Sequence, residues 1–294
     1  MSAGGKIWFE AARPKTLPAA IVPVMVATAF AHAHGGANYF KAGVCLVFAL
    51  LVQIGTNFAN DYFDFWHGAD TAERVGPRRA VAAGLISPRT MLGATAAVLA
   101  LAFAVGLVLV IEGGWLLLPI GVVSILCAIA YTGGPYPLGY NGLGDVFVFI
   151  FFGLVAVGVT FFVQVGPPGF DTLLAAAAIG LLAANILVAN NYRDVETDAR
   201  AGKRTLVVRF GRKFAWWQYG LATAAALVVP VALWALGQRW PVLAPLLLTP
   251  WGVSLTHRLG ASCAPAEQIA ILADTAKFLA VYGVLLSAGV VFGA

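Results

Sequence analysis

The segment 57–70, NFANDYFDFWHGAD, ends a long apolar run with two amide and three carboxylate side chains. Such groups are costly near a bilayer and indicate a functional site. A second segment, 190–198 (NNYRDVETD), ends another apolar run in the same way. Side chains four residues apart share one face of a helix. We therefore predict one polar stripe of Asn60 and Asp64 and a second of Asn190, Asp194 and Asp198.

Asp70 lies six residues after Asp64 and would face away from the first stripe. Gly68 gives the chain a place to turn, and we expect this turn to bring Asp70 back toward the stripe. Together the two stripes predict one site for hard cations.

The composition predicts an integral membrane protein of the all-α class. Of the 294 residues, 61% are hydrophobic and only 11% are charged, and the mean hydropathy is +0.87, which a water-soluble protein of this size would not need. No segment resembles a cleavable leader, so we expect a mature N-terminus. The net charge of +5 does not indicate nucleic-acid binding, because the cations lie at the ends of apolar runs. We expect the three cysteines to be free thiols.

Apolar runs of about 20 residues, the length that crosses a bilayer, predict a bundle of about nine transmembrane helices in a single domain, 1–294. The predicted spans are 17–33, 41–60, 90–110, 115–131, 144–163, 171–190, 214–236, 241–257 and 270–291. With the N-terminus inside, fifteen of the 18 Lys and Arg residues fall on cytoplasmic segments, Lys41 and Arg239 fall outside, and Lys277 lies within the last span. By the positive-inside rule, we expect both acidic segments to be cytoplasmic and the C-terminus to be outside, in the inner (plasma) membrane.

Three further segments lie on the predicted cytoplasmic side. Segment 8–17 has the pattern of an interfacial amphipathic anchor, and its Arg13 has either an anchoring or a substrate-binding role. The loop 131–145 is rich in glycine and proline and is predicted to be irregular, with tyrosines that would line a pocket. Lys203 and Arg204 follow the second acidic segment, where they either mark the topology or bind an anion.

The acidic residues predict metal-dependent chemistry on a diphosphate. Asp64, Asp70, Asp194 and Asp198 would place about four negative charges in a poorly screened volume, which requires compensating cations. Mg²⁺, or Mn²⁺ in its place, suits carboxylate and amide oxygens and commonly binds with substrate phosphates. Nearby Lys and Arg side chains would contact the remaining phosphate oxygens. In a membrane, this combination suggests prenyl transfer, with the metal stabilising the departing pyrophosphate.

These residues resemble the UbiA superfamily of intramembrane aromatic prenyltransferases, whose members have nine helices and two aspartate-rich cytoplasmic motifs. The resemblance covers the chain up to about Arg212. It is carried by ARPKTL at 12–17, NDYFD through GAD to RVGP at 60–77, YTGGP with GLGD at 131–145, and NNYRD through GKRTL at 190–206. Hydroxybenzoate-type members usually carry their second aspartate where this chain has Gly68, and a cation where it has the loop 133–138. The chain is therefore most similar to the branch that prenylates 1,4-dihydroxy-2-naphthoate.

The resemblance implies transfer of a polyprenyl chain from polyprenyl diphosphate to 1,4-dihydroxy-2-naphthoate, with loss of carbon dioxide, to give demethylmenaquinone in menaquinone biosynthesis. It implies two Mg²⁺ ions and a diphosphate bound by Asn60, Asp64, Asp70, Asn190, Asp194 and Asp198. Lys203 and Arg204 would contact phosphate, with Arg78 and Arg79 as further candidates. Asp64 and Asp198 are the expected catalytic carboxylates. Asp61 is the uncertain member of the catalytic set and serves either there or at the aromatic acceptor, beside the predicted acceptor-binding residues Arg13, Tyr131 and Asp145.

Other functions also fit two acidic segments at the ends of apolar runs. In one alternative, the same prenyl transfer uses another aromatic acid as the acceptor, such as 4-hydroxybenzoate or homogentisate. A transporter also places acids within the membrane, although it would not need the paired amides and carboxylates twice on one face. A non-catalytic quinone-binding protein would tolerate the loss of Asp64 and Asp198 together.

Overall fold

Helices form every regular element among the described residues, which are 3–69, 76 and 78–294 of a computed structural model. The first part of the chain contains α1 (Ala3–Ala11), a 3-10 turn (Pro14–Thr16), α2 (Pro18–Ala33), α3 (Tyr39–Trp66), α4 (Pro88–Gly113) and α5 (Leu117–Ala130). The second part contains α6 (Gly144–Val148), a π-helical segment (Phe149–Val155), α7 (Ala156–Phe162), α8 (Phe170–Arg193), α9 (Val195–Arg200), α10 (Leu206–Ala235), a 3-10 segment (Trp240–Leu248), α11 (Thr249–Ala261) and α12 (Pro265–Gly293). The predicted all-α class is confirmed.

Six helices in the described ranges are long and apolar enough to cross a membrane, or seven if the bent pair Gly4–Thr16 and Pro18–Ala33 forms one span. Leu117–Ala130 is apolar but shorter. The predicted span 241–257 falls on the 3-10 segment and α11. Pro245 lies inside the 3-10 segment, where it cannot donate a backbone hydrogen bond, and Pro250 lies in the first turn of α11. The chain is therefore an integral membrane protein, and the count of nine spans stays a prediction.

Helix α8 lies at the centre of the bundle and packs against α2, α10, α12 and the π-helical segment. Its small residues allow close approach of neighbouring backbones. A Cβ atom built on Gly153 would lie 2.6 Å from the carbonyl oxygen of Ala176 and 2.7 Å from the Cα atom of Gly180. The π-helical segment and α8 therefore touch backbone to backbone, which fixes the second acidic segment at the end of α8.

Gly68 has a left-handed φ of 66° just after α3 ends at Trp66. Glycine adopts this conformation without the steric cost of a Cβ atom. The predicted turn at Gly68 is thus confirmed, whereas Asp70, which the turn was expected to redirect, lies outside the described residues.

Candidate active site

A cavity within the bundle has a polar end built from both acidic segments and walls that are mostly apolar. Its polar end is lined by Arg13, Asn60, Asp64, Arg79, Asn190, Asn191, Asp194, Asp198 and Lys203. Its apolar walls come from α2 to α5, from α6 through the π-helical segment to α7, and from α8. The cavity therefore combines a charged end with an apolar channel, and it brings the two acidic segments together as predicted.

Asp64 is buried on α3 and contacts three side chains from other parts of the chain. The hydroxyl of Tyr140 donates to its Oδ1 at 2.7 Å. The ammonium of Lys203 lies 3.2 Å from the same oxygen, and Nη2 of Arg79 lies 3.7 Å from Oδ2. These donors compensate the buried charge and hold the carboxylate at the polar end of the cavity.

Lys203 joins the two acidic segments directly. Its Nζ atom lies 3.2 Å from Asp64 and 3.5 Å from Asp198, and it is positioned 4.7 Å from the centre of the Tyr140 ring. The side chain is only 16% exposed. A cation between two carboxylates lowers their mutual repulsion, so Lys203 allows Asp64 and Asp198 to lie close together.

The second stripe is divided between two helices, because α8 ends at Arg193 and α9 begins at Val195. Helical spacing nevertheless continues through the junction. The backbone N–H of Asp194 donates to the backbone carbonyl of Asn190 at 3.1 Å, and the backbone N–H of Asp198 donates to the backbone carbonyl of Asp194 at 2.8 Å. Asn190, Asp194 and Asp198 all line the cavity, as the four-residue spacing predicted.

Arg193 is a part of the site that the sequence interpretation assigned only to topology. Its Nε and Nη2 atoms donate to the two carboxylate oxygens of Asp194 at 2.7 and 2.6 Å, and Nη2 also donates to Oδ1 of Asn190 at 2.9 Å. The Arg193 side chain is 1% exposed. This two-pronged contact fixes the orientation of Asp194. The sequence signal for this role is the position of Arg193, directly before Asp194 and three residues after Asn190.

Asn60 also has a partner that the sequence did not indicate. The hydroxyl of Thr132, in the loop after α5, donates to Oδ1 of Asn60 at 2.8 Å, and both residues are buried. This bond ties the loop 131–145 to α3 and sets the orientation of the amide. The tyrosines of that loop were expected to line a pocket; Tyr131 and Tyr140 line the cavity, whereas Tyr136 is exposed and does not.

The chemistry of the oxygen donors fits Mg²⁺. Carboxylates of Asp64, Asp194 and Asp198 and amides of Asn60 and Asn190 share one cavity end, and such oxygens suit a hard cation. Within the described ranges, no three His, Cys, Asp or Glu side chains form a group that could hold a metal ion unaided. A metal there would need further oxygens, which a diphosphate can supply.

The structure corrects the placement of Asp61. Its Oδ2 accepts the backbone N–H of Ala80 at 3.0 Å and its Oδ1 accepts that of Val81 at 3.2 Å. Asp61 is buried but is not part of the cavity lining. It lies one position round α3 from Asn60, so its carboxylate is directed to the loop after α3. Asp61 is thus set back from the cavity, and it interacts with the charged group of Arg13 in the lining.

The four candidate phosphate partners separate into two pairs. Lys203 and Arg79 line the cavity, whereas Arg204 and Arg78 are exposed and do not. Arg204 is tied to the loop 131–145 through its backbone, because its N–H donates to the carbonyl of Tyr140 at 2.7 Å. The structure therefore does not bring Arg78 or Arg204 to the predicted diphosphate site.

The three predicted acceptor residues also separate. Arg13 and Tyr131 line the cavity. Asp145 does not; it is buried on α6 and accepts a hydrogen bond from Gln218 at 2.9 Å. Arg13 has a left-handed φ of 53°, which is unusual for a residue with a side chain, and its Nη2 atom donates to the carbonyl of Asn57 at 3.4 Å. Backbone strain of this kind clusters at functional sites.

The sequence is similar to that of a known protein family and of several known proteins. Residues 20–285 match the UbiA prenyltransferase family. The chain is 40% identical over 291 residues to 1,4-dihydroxy-2-naphthoate octaprenyltransferase of Mycobacterium tuberculosis, with 97% of each chain covered. It is 33% identical to the Bacillus subtilis protein of the same name, with 97% of this chain and 92% of the relative covered.

Solved structures show the same fold. A UbiA homolog from Archaeoglobus fulgidus bound to DMAPP and Mg²⁺ superposes with a TM-score of 0.67 at 16% identity, covering 95% of this chain and 99% of that one. The apo structure of a UbiA homolog from Aeropyrum pernix gives a TM-score of 0.66 at 17% identity, covering 95% and 96%.

Proposed function

This chain belongs to the UbiA prenyltransferase family, and we propose that it transfers a polyprenyl group from polyprenyl diphosphate to 1,4-dihydroxy-2-naphthoate in menaquinone biosynthesis. Relatives that carry this activity in their names are 33–41% identical to it. The observation that supports the proposal most is the cavity, whose charged end contains both acidic segments and whose walls are mostly apolar. A diphosphate matches the charged end, and a polyprenyl chain matches the walls.

The residues at the polar end would hold the leaving group. Lys203 and Arg79 already contact Asp64 and can donate to phosphate oxygens from the same positions. Asn60, Asp64, Asn190, Asp194 and Asp198 would bind Mg²⁺, or Mn²⁺, which when present neutralises charge on the departing diphosphate. Asp70 belongs to this proposed set by resemblance.

Prenyl transfer then follows from charge separation inside an enclosed site. The bond between the prenyl carbon and the diphosphate oxygen breaks, and the electron pair leaves with the diphosphate. The ring carbon that carries the carboxylate attacks the allylic cation, and loss of carbon dioxide returns the electron pair to the ring. The immediate product is the hydroquinone form, which gives demethylmenaquinone on oxidation. The apolar walls exclude water, which would otherwise capture the cation.

Arg13 and Tyr131 are the proposed contacts for the aromatic acid. Both line the cavity, and a guanidinium is suited to a carboxylate. The site and the N-terminus would face the cytoplasm and the C-terminus the outside of the inner (plasma) membrane, with 1–294 acting as one domain. A reporter fused after Ala294 should then report an external location, and a cytoplasmic signal would contradict this arrangement.

The activity is tested by incubating purified enzyme in nanodiscs with Mg²⁺, a polyprenyl diphosphate and an aromatic acid labelled in the carboxyl carbon. We expect labelled carbon dioxide and a prenylated product with 1,4-dihydroxy-2-naphthoate, and no prenylated product with 4-hydroxybenzoate or homogentisate. Preferred use of either alternative acid would overturn the assignment of the acceptor. Absence of prenyl transfer to all three acids would overturn the assigned reaction.

A further inference from the structure

Asp61 is a buried carboxylate whose two oxygens are both bound by backbone amides of one short segment. Ala80 donates to Oδ2 at 3.0 Å and Val81 donates to Oδ1 at 3.2 Å. Asp61 is 2% exposed. Hydrogen bonds from N–H groups to an ionised carboxylate are roughly twice as strong as bonds between neutral groups. Residues 80 and 81 are therefore held onto α3 by a strong, two-point contact.

The residue next to these two amides is Arg79. Its Nη2 atom lies 3.7 Å from Oδ2 of Asp64, and its side chain lines the cavity. Asp61 and Asp64 are three residues apart on α3. The backbone at residues 80 and 81 and the side chain of Arg79 therefore both contact the same rigid helix. Fixing the backbone at 80 and 81 thus fixes the point from which the Arg79 side chain extends.

Packing supports the same contact from the other side. Ala80 and Val81 are buried in a small apolar cluster with Ala11, Phe58, Ile86 and Met91. Apolar packing is not directional, so it keeps the segment against α3 without setting its register. The two hydrogen bonds to Asp61 supply the register.

We propose that Asp61 is a positioning residue for the diphosphate site, acting through Arg79. The proposal rests on the proposed function only in taking Arg79 as a diphosphate contact. Asp61 itself does not touch substrate. Its loss should weaken use of the polyprenyl diphosphate more than use of the aromatic acid, to which Asp61 is linked only through its charged neighbour Arg13.

The first measurement is hydrogen exchange and needs no activity. An asparagine side chain has one acceptor oxygen, and its NH₂ group would face a backbone N–H. In Asp61→Asn, we therefore expect at least one of the amides of residues 80 and 81 to exchange about tenfold faster or more, the factor for one lost hydrogen bond to a charged group. Exchange in the middle of α3 should not change. Unchanged protection at 80 and 81 would overturn the proposal.

The second measurement is a double-mutant cycle with Asp61→Asn, Arg79→Gln and the double variant. If Asp61 acts through Arg79, Asp61→Asn raises the KM for polyprenyl diphosphate about tenfold, and the double variant is no worse than Arg79→Gln alone. The KM for the aromatic acid should change by a smaller factor, because Asp61 reaches that substrate only through its charged neighbour Arg13. Additive effects, or equal changes in both KM values, would assign Asp61 a purely structural role and overturn the proposal.

A third variant covers the case in which Asp61→Asn does not fold. Asp61→Glu keeps the charge but displaces the carboxylate by one methylene group, and we expect intermediate effects on exchange at 80 and 81 and on the KM for polyprenyl diphosphate. A folded Asp61→Glu variant with wild-type values in both would refute the positioning role. If the enzyme transfers no prenyl group at all, binding of Mg²⁺ and inorganic pyrophosphate replaces the KM measurement, so failure of the proposed function is distinguished from failure of this proposal.

Discussion

Lys203 and Arg204 are adjacent cations in one loop, and the structure predicts that they contribute very differently to prenyl-diphosphate use. Lys203 Nζ lies 3.2 Å from Asp64 and 3.5 Å from Asp198 at the polar end of the cavity, whereas Arg204 is exposed and does not line the cavity. We expect Lys203→Gln to lower kcat/KM for polyprenyl diphosphate strongly. Arg204→Gln is the matched control, because it removes the same charge from the same loop.

The size of the effect follows from one charge-assisted contact. A hydrogen bond to a charged group contributes about 1.5–3 kcal/mol, and about 1.4 kcal/mol corresponds to a factor of ten. Lys203→Gln should therefore cost about tenfold to a hundredfold. A substitution at an exposed position usually changes the free energy by less than about 0.5 kcal/mol, so Arg204→Gln should cost about twofold or less.

The assay is initial-rate kinetics of both purified variants in nanodiscs, varying each substrate while the other is saturating. The KM for the aromatic acid should change little in either variant, because the lost contact is to phosphate. Topology cannot explain a difference, since each variant removes one of the fifteen predicted inside cations. Equal effects of the two substitutions would refute the assignment of Lys203 to the diphosphate.

Other predictions concern the metal, the helix packing and the acceptor. Asp64→Asn should lower turnover by orders of magnitude without preventing membrane insertion, because an amide cannot balance the charge of Mg²⁺; full wild-type activity in chelator would contradict this. Gly153→Ala should lower the free energy of unfolding by about 1–3 kcal/mol, because its Cβ atom would lie 2.6 Å from a carbonyl oxygen of α8. Gly158→Ala, with no atom within 4 Å of the built Cβ, is the control and should raise thermal stability slightly, because alanine is favoured over glycine inside a helix. Arg13→Gly should raise the KM for the aromatic acid about tenfold, with no cost from the left-handed backbone, which glycine accepts; an unchanged KM would exclude Arg13 from the acceptor site.

The helical class and the meeting of the two acidic segments could be predicted because both depend on local patterns. Long apolar runs need helices in a bilayer, and a spacing of four residues puts Asn190, Asp194 and Asp198 on one side even though α8 ends at Arg193. Gly68 was predictable for the same reason, because only its own backbone conformation was at issue.

The partner of each polar group could not be predicted, because partners depend on packing between distant segments. Helical spacing separates Asp61 from Asp64, but it does not predict that Asp61 bonds the backbone amides at 80 and 81 or which groups contact Asp64 in the cavity. Lys203 and Arg204 are neighbours in the sequence, yet Lys203 lines the cavity, whereas Arg204 is exposed and bonds the carbonyl of Tyr140 through its backbone N–H. These choices involve contacts across 19 to 76 positions of the chain, which no local pattern records.

The bridge formed by Lys203 means that the enzyme carries its own counter-ion. Divalent cations can leave without exposing Asp64 and Asp198 to each other, because the ammonium remains between them. Chelation should therefore silence the enzyme without unfolding it, in contrast to proteins whose fold depends on a structural metal. Restoring Mg²⁺ after prolonged dialysis against chelator should restore full turnover, and permanent inactivation would show that the internal counter-ion is not sufficient.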